Sequence, residues 1–232
     1  MMWWKMRKWE DLPIEMQNEE VRYYYNILCK KTFSLILKRG FDIVVSSILL
    51  LCLSWLFILL AIIIKIDSSG PIFYRQERIT QYGNTFKIHK FRTMVTNADK
   101  RGSLVTLKDD SRITRVGKKI RKYRLDEISQ LIDVFNGSMT LVGTRPEVEK
   151  FVKEYSPEML ATLLLPAGIT SEASVTYRDE EKLLDESKDI NNFYLEKILP
   201  KKMIINLNNL ENFNLYKELK ILIKTVMVVL YR

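Results

Sequence analysis

The longest apolar stretch of the chain runs from Ile43 to Ile64 and predicts a membrane-inserted helix. Sixteen of its residues are Leu, Ile, Val or Phe, and its clearly polar members are Ser46, Ser47 and Ser54. A helix that is apolar on every side and of this length matches a bilayer core of about 30 Å. No proline or glycine interrupts the stretch, so the residues themselves predict one straight span.

Alternating apolar and polar residues after this stretch predict a β-hairpin. One strand falls within Pro71–Arg78 and the other within Phe86–Phe91, with the turn signal Gln81–Asn84 between them. A short apolar strand is predicted further on, at Met139–Val142. The C-terminal third alternates helical patterns with loops and ends in an apolar-rich helix, Leu219–Tyr231.

Two helices of different character are predicted between these strands. Ser111–Arg124 carries apolar residues on one side and seven basic residues in its length. A basic amphipathic helix beside a membrane element binds anionic lipid at about 1 kcal/mol per basic residue, although a solvated face or a nucleic-acid patch would also explain the charge. The second helix runs from Asp126 or Glu127 to Phe135, and Asn136-Gly137 caps its C-terminus.

The overall charge points to an anionic partner. The 232 residues carry a formal net charge of +9 and give a pI of about 9.4. Cys29 and Cys52 do not form a disulfide framework, and both are interpreted as reduced thiols on the cytoplasmic side. The N-terminus lacks the pattern of a secretory signal. Its Trp3, Trp4 and Trp9, set among basic residues, suit a membrane interface, and a partly ordered tail is the alternative.

Three positions are candidates for chemistry. Asp126-Glu127 opens a predicted helix after a dense basic stretch, where a carboxylate stays ionised; an ordinary capping residue is the alternative. Arg145 projects from a stiff turn between a glycine and a proline, which suits bidentate phosphate binding, or else forms a surface ion pair. Lys90 shares a strand face with Arg92, while His89 points the other way and is interpreted as structural. No P-loop, GxGxxG or GxSxG motif is present.

An ordered set of short motifs gives these residues a common context. The motifs are Lys38-Arg39-Gly-Phe41-Asp42, Gly70-Pro71-Ile-Phe73, Lys90-Phe91-Arg92-Thr93-Met94, Arg124-Leu125-Asp126-Glu127, Gly137-Ser-Met139, Val142-Gly143-Thr144-Arg145-Pro146-Glu147 and Pro166-Ala-Gly168-Ile169-Thr170. In this order they resemble the bacterial sugar transferase family, the small polyprenyl-phosphate phosphoglycosyl transferases that initiate glycan assembly. The resemblance covers roughly residues 38 to 178.

The resemblance implies an enzyme that works in two steps with Mg²⁺. Asp126 would attack the sugar-proximal phosphate of a UDP-sugar, expel UMP and contact the metal ion, and Glu127 would help polyprenyl phosphate attack the resulting intermediate. Lys90, Arg121 and Arg145 match positions that bind phosphate or UDP, and the adjoining Pro146 and Glu147 are taken as substrate-binding too. Anionic membrane lipids are further expected partners, nucleic acid is not, and a homo-oligomer is left open.

The implied fold is α+β: a membrane-inserted, re-entrant helix and a small, mainly helical cytoplasmic domain with a short β-hairpin and basic amphipathic surface helices. We divide the chain into an N-terminal interfacial extension at 1–37, the membrane-inserted helix at 38–66 and the cytoplasmic catalytic domain at 67–232. The expected location is the bacterial cytoplasmic membrane, with the catalytic domain on its cytoplasmic face.

Several positions depart from the family pattern. Ser54-Trp55 replaces the usual Ser-Pro, so a straight span stays open beside the re-entrant one. Ser129 replaces a proline and Ser138 an aspartate, while Asn206 stands where a downstream aspartate is expected, so an inactive homologue stays open. The stretch 170–177 is interpreted as bearing on sugar choice. The alternative function is a non-enzymatic, membrane-anchored basic scaffold that binds anionic lipid or nucleic acid.

Overall fold

The computed structural model describes residues 6–96, 98, 110–180, 183 and 189–230. Trp3, Trp4 and Tyr231, which entered the sequence predictions, lie outside these residues. The described helices are α1 (Glu19–Cys29), α2 (Thr32–Cys52), α3 (Ser54–Asp67), α4 (Arg115–Lys122), α5 (Leu131–Asn136), α6 (Glu149–Val152), α7 (Glu172–Thr176), α8 (Ile190–Phe193), α9 (Leu199–Glu211) and α10 (Leu215–Leu230). The strands are β1 (Phe73–Ile79), β2 (Thr85–Phe91), β3 (Met139–Val142) and β4 (Ala167–Thr170).

The predicted membrane helix is bent, so the prediction of one straight helix is wrong. The axes of α2 and α3 differ in direction by 60° across the break at Leu53. Two serine hydroxyls of the pair bond to backbone carbonyls: Ser54, next to the break, donates to Leu51 (2.8 Å), and Ser47, within α2, donates to Ile43 (2.7 Å). Such side-chain bonds compete with the helical ladder and bend helices without proline. Among the described residues no helix is long and apolar enough to cross a membrane alone. Taken together, the two helices of this bent pair have the necessary length and apolar composition.

One side of the bent pair is apolar and uncovered by protein. Leu51, Trp55 and Ile58 leave 76%, 63% and 63% of their surfaces exposed. The opposite side of α3 is buried, where Leu60 and Ile64 contact Phe91 and its neighbours. A contiguous apolar surface of this extent is typical of a membrane or protein interaction site rather than of a protein surface in water.

Charged side chains fasten the base of α2 to the rest of the protein. Lys38 is 2% exposed and its Nζ donates to the Val142 carbonyl (2.9 Å) and to Glu218 Oε2 (2.6 Å). Arg39 donates to the carbonyls at the end of α5, and the Asp42 carboxylate accepts from the Thr140 hydroxyl and the Leu141 N–H. Buried charges are tolerated only when they are paired. These side chains therefore fix the position of α2 relative to β3 and α5.

The N-terminal helical segment is built into a buried cluster. Its buried side chains meet those of the later helices in one apolar cluster, which includes Leu12, Met16, Val21, Tyr24, Leu28, Leu163, Leu164, Leu207, Leu210 and Phe213. Lys31 Nζ adds a hydrogen bond to the Phe213 carbonyl (2.9 Å). Since α2 begins at Thr32, the proposed boundary between residues 37 and 38 falls inside a helix; the division into three segments stays a prediction.

The predicted hairpin and the short apolar strand are confirmed. β1 and β2 pair antiparallel in a register that places Tyr74 opposite Lys90, and a 3-10 turn at Gln81–Gly83 joins them. β3 pairs in parallel with β4. Where the two strands end, a Cβ added to Gly168 would lie 2.1 Å from the Gly143 nitrogen, so the chains approach each other more closely than any side chain allows.

The two central helices are shorter than predicted. α4 starts at Arg115, and its apolar residues Val116 and Ile120 join the cluster formed with α3, so its apolar face lies against protein. The segment after Asp126 begins with a 3-10 turn and becomes α-helical only at Leu131, so the aspartate does not occupy the first turn of an α-helix. The helix ends as predicted, at Gly137, whose φ is +86°.

Replacing Asp42 with alanine should destabilise the whole chain. The change leaves the buried hydroxyl of Thr140 and the N–H of Leu141 without their acceptor, at about 1–3 kcal/mol of unfolding free energy. Denaturant titration of detergent-solubilised protein measures the loss. The matched control is Asp11→Ala at an exposed site, which should change the free energy by less than about 0.5 kcal/mol. Equal midpoints for the two variants would contradict the role of this buried anchor.

Candidate active site

The Asp126-Glu127 pair lies beside the end of β2. The Phe91 N–H donates to the Asp126 carbonyl (3.0 Å), which holds the pair against the strand. Lys90, one residue earlier, places its Nζ 3.1 Å from Asp126 Oδ2 and 3.2 Å from Glu127 Oε1. The hairpin that follows α3 therefore brings a cation to both carboxylates.

Three cations converge on the Glu127 carboxylate. Arg145 Nη2 lies 2.6 Å from Oε1, Lys90 Nζ 3.2 Å and Arg124 Nη1 3.7 Å. Burial alone would raise the pKa of Glu127, but the charges of Arg145, Lys90 and Arg124 outweigh it and hold that pKa well below its ordinary value. The Glu127 charge in turn raises the pKa of Arg145. This carboxylate is ionised at neutral pH and is poorly suited to accept a proton.

Asp126 keeps one carboxylate oxygen unused. The residue is 3% exposed, and within the described part of the chain its buried Oδ1 has no hydrogen-bond partner. A buried acceptor left without a partner costs about 1–3 kcal/mol, so such an atom calls for a ligand. No group of three or more His, Cys, Asp or Glu that could hold a metal ion occurs among the described residues. A hard cation bound here would need ligands from a bound substrate as well.

The turn that carries Arg145 is tethered from two sides. The Arg78 guanidinium donates to the Pro146 carbonyl (3.2 Å) and lies 3.9 Å from the Glu147 carboxylate. From the other side, the Tyr194 hydroxyl donates to Glu147 Oε1. Burial and the Glu147 charge raise the pKa of Tyr194 well above its ordinary value, so it stays a donor. These contacts hold the backbone from which Arg145 reaches Glu127.

The structure brings together only some of the residues predicted from sequence. Lys90, Asp126, Glu127 and Arg145 form the cluster described above. Pro146 and Glu147 are buried, and their described contacts include Arg78, Tyr194 and the Ile79 N–H, which donates to the Glu147 carbonyl (2.9 Å). Substrate binding by these two residues stays a prediction.

Among the residues that depart from the family pattern, Ser129 adjoins this cluster, because its hydroxyl lies 3.3 Å from the Asp126 carbonyl oxygen and 3.1 Å from that of His89, whereas the described contacts of Asn206 lie elsewhere. Arg121 contributes to lowering the pKa of Asp110, whose largest influence is its hydrogen bond from Arg112. Asn206 is buried on α9, and its amide nitrogen lies 3.8 Å from the Met203 sulfur.

His89 and Arg92 flank the site from the hairpin and serve the fold. His89 Nδ1 contacts the Asp133 carboxylate (2.7 Å), and its backbone N–H donates to the same carboxylate, which agrees with a structural role. Arg92 does not share the role of Lys90, since its guanidinium donates to the carbonyls of Ser68 and Ser69 at the end of α3.

Sequence reasoning missed two charged residues. Arg124, which the sequence pattern places at the end of the basic helix without a role of its own, stands two residues before Asp126 and contacts Glu127. Glu218 was not considered; it is the acidic residue on the C-terminal helix that pairs with Lys38. Its position three residues before the buried Ile221 on an amphipathic helix was the available signal.

Comparison with known proteins decides the family. The protein-family model described as "Bacterial sugar transferase" matches residues 33–232, which include nearly all of the bent helix pair and every residue of the cluster. The chain belongs to the bacterial sugar transferase family. Its resemblance to that family, inferred from short motifs, is thereby confirmed.

Two relatives illustrate how much of a bacterial sugar transferase this chain represents. It is 32% identical over 202 residues to the UDP-N-acetylgalactosamine-undecaprenyl-phosphate N-acetylgalactosaminephosphotransferase of Aeromonas hydrophila, covering 84% of this chain and 44% of the relative. It is also 32% identical over 196 residues to the sugar transferase EpsL of Bacillus subtilis, covering 84% and 88%. The chain thus spans less than half of the first relative and most of the second.

Replacing Glu127 with glutamine should destabilise the protein in a pH-dependent way. Because the folded pKa lies well below 4.5, the ionised carboxylate stabilises the fold at neutral pH and the effect is lost as the pH falls through that depressed value. The unfolding free energies of wild type and variant should therefore differ most at about pH 7, by about 1–3 kcal/mol, and the difference should shrink as the pH falls below 4.5 through the depressed pKa.

The control for this experiment is Glu149→Gln, which removes an exposed carboxylate whose described ion pair is with Lys153, at 2.8 Å. Exposed pairs are worth about 0–1 kcal/mol, so this variant should track the wild type at every pH. A Glu127→Gln difference that does not depend on pH would contradict the inferred charge state.

Proposed function

We propose that this protein transfers a sugar 1-phosphate from a UDP-sugar to polyprenyl phosphate and releases UMP. The observation that carries the proposal is the buried Asp126 carboxylate, whose Oδ1 is unpartnered among the described residues while cations surround its neighbour Glu127. Asp126 Oδ1 is available to bond to a phosphorus atom. The nearby cations Lys90 and Arg145 would attract the anionic oxygens on that phosphorus. The names of relatives from Aeromonas hydrophila and Komagataeibacter xylinus, which differ in the sugar, support the reaction class.

The first step is attack by Asp126 on the sugar-proximal phosphorus of the donor. The carboxylate oxygen forms a bond to that phosphorus, the bond between the same phosphorus and the bridging oxygen breaks, and UMP leaves with that oxygen and the bonding electron pair. Arg145 and Lys90 would neutralise the charge that spreads over the phosphoryl oxygens. Because Oδ1 is covered in this structure, donor binding has to expose it.

In the second step an oxygen of polyprenyl phosphate attacks the same phosphorus and restores the Asp126 carboxylate. Splitting the transfer in two replaces one difficult step by two easier ones. We propose that Glu127 contributes by holding Lys90 and Arg145 in place, since its depressed pKa makes it a weak proton acceptor at neutral pH.

Mg²⁺ fits the site through Asp126 and the phosphates of the donor. Magnesium in phosphoryl-transfer sites is usually held by one or two carboxylates together with substrate oxygens, so Asp126 would hold the ion through Oδ2, since Oδ1 is the oxygen proposed to attack the phosphorus. When bound, the ion would add positive charge to the phosphoryl oxygens.

The membrane is the proposed location because one substrate is a lipid. The exposed apolar side of α2 and α3 would lie in the bilayer, and the 60° bend would return α3 to the cytoplasmic face. α4 presents exposed basic residues, including Arg115, Lys118 and Lys122, that would contact anionic head groups.

Replacing Asp126 with asparagine should abolish UMP release. The amide is a poor nucleophile, and loss of a covalent nucleophile lowers turnover by roughly 10³-fold or more. Luminescent detection of UMP across a panel of UDP-sugars with undecaprenyl phosphate measures the rate, with Asp11→Asn as an exposed-site control. Wild type incubated with donor alone should gain the mass of a phosphosugar on the peptide containing Asp126. An active Asp126→Asn enzyme would falsify the assignment.

The two ends of the bent pair should lie on the same side of the membrane. In a background without Cys29 and Cys52, single cysteines at Lys8 and at Lys87, both exposed, should resist an impermeant maleimide in intact spheroplasts and react after permeabilisation. Reaction at Lys8→Cys alone in intact cells would mean a straight span and overturn the re-entrant topology.

A further inference from the structure

Arg124 occupies a backbone position that glycine usually fills. At the end of α4, the Arg124 N–H donates to the Arg121 carbonyl and the Leu125 N–H to the Ile120 carbonyl, each at 3.0 Å. Leu125 and Ile120 also share an apolar cluster. These are the features of a Schellman C-terminal cap, whose central residue is left-handed. Arg124 has a φ of +55°, a conformation that is unfavourable for any residue with a Cβ.

The described contacts of the arginine do not explain this choice. Its side chain is 36% exposed, and its ion pair with Glu127 spans 3.7 Å. The same carboxylate oxygen already receives Arg145 at 2.6 Å and Lys90 at 3.2 Å. A half-exposed pair of this length adds little to stability. A glycine would form the same cap without the strain.

The charge balance of the cluster shows what Arg124 adds. Lys90 and Arg145 together carry the charge needed to neutralise Asp126 and Glu127. Arg124 gives the cluster an excess of one positive charge on the side that is open to solvent. A guanidinium offers five N–H donors in a planar fork, which matches the oxygens of a phosphate group.

We infer that Arg124 is a further phosphate-binding residue of this site, kept in a strained backbone conformation because its guanidinium meets the substrate. This inference rests on the proposed function. The ligand is a phosphate group, which belongs either to the nucleoside diphosphate of the donor or to the lipid acceptor.

The test compares Arg124→Gly, Arg124→Lys and the control Lys150→Gln, which removes an exposed positive charge a few residues after Arg145. Each full-length protein is purified in detergent. Its melting temperature, its dissociation constant for UDP by calorimetry and its KM for undecaprenyl phosphate are measured. The glycine variant should melt about 2–4 °C higher, since the left-handed strain is removed. It should also bind one phosphate ligand about tenfold more weakly.

The lysine variant should bind more tightly than the glycine variant without the gain in melting temperature, because it keeps the charge and the Cβ. The Lys150→Gln control should match the wild type in all three measurements. Weaker UDP binding assigns Arg124 to the donor, and a raised acceptor KM with unchanged UDP binding assigns it to the lipid phosphate.

Two results would overturn the inference: a glycine variant that matches the wild type for both ligands, or one that melts at a lower temperature. Failure of the proposed function gives a different result. If wild type releases no UMP from any donor, calorimetry still measures UDP binding without turnover, and weaker UDP binding by the glycine variant would then support the inference although the proposed function has failed.

Discussion

The structure depends on the buried ionic attachment between the base of α2 and the strand that leads to the candidate active site. Lys38 and Asp42 bond to the backbone and side chains of β3, and Arg39 bonds to the end of α5. β3 continues directly into the turn that carries Arg145. A transferase that joins a lipid to a water-soluble donor needs its charged groups at a fixed height relative to the bilayer. This attachment supplies that constraint, because α2 is bonded to β3 and β3 leads directly to Arg145.

At the candidate active site, charge determines where the side chains lie. Glu127 gathers Arg145, Lys90 and Arg124 around one oxygen atom, while the tether through Glu147 and Tyr194 restrains the turn behind Arg145. Cations held in place before substrate arrives need little reorganisation when charge moves from one phosphoryl oxygen to another. In the proposed reaction, the same cations would therefore stabilise both the attack by Asp126 and the attack by polyprenyl phosphate on one phosphorus atom.

Local patterns were sufficient to predict the hairpin, the short strand and the αL cap at Gly137, because each depends on neighbours in sequence. The family followed from ordered motifs, and four of the predicted site residues lie together. The residue pattern alone did not predict the bend at Leu53, because the segment holds no proline or glycine; the re-entrant helix was expected only from the family resemblance. The tethering role of Glu147 and the pairing of Lys38 with Glu218 depend on contacts between distant segments, 180 residues apart in the latter case, which no local pattern records.

The bend at Leu53 has a consequence for how the chain enters a bilayer. Proline lacks an N–H and would impose a permanent kink, whereas Trp55 retains its donor, so this segment can recover a continuous hydrogen-bonded helix if the serine bonds are released. If the bent pair enters a bilayer as proposed, a newly synthesised chain would be inserted as an uninterrupted helix and would acquire its angle only when Lys38 and Asp42 find their partners. Final topology would then be a product of folding rather than of insertion.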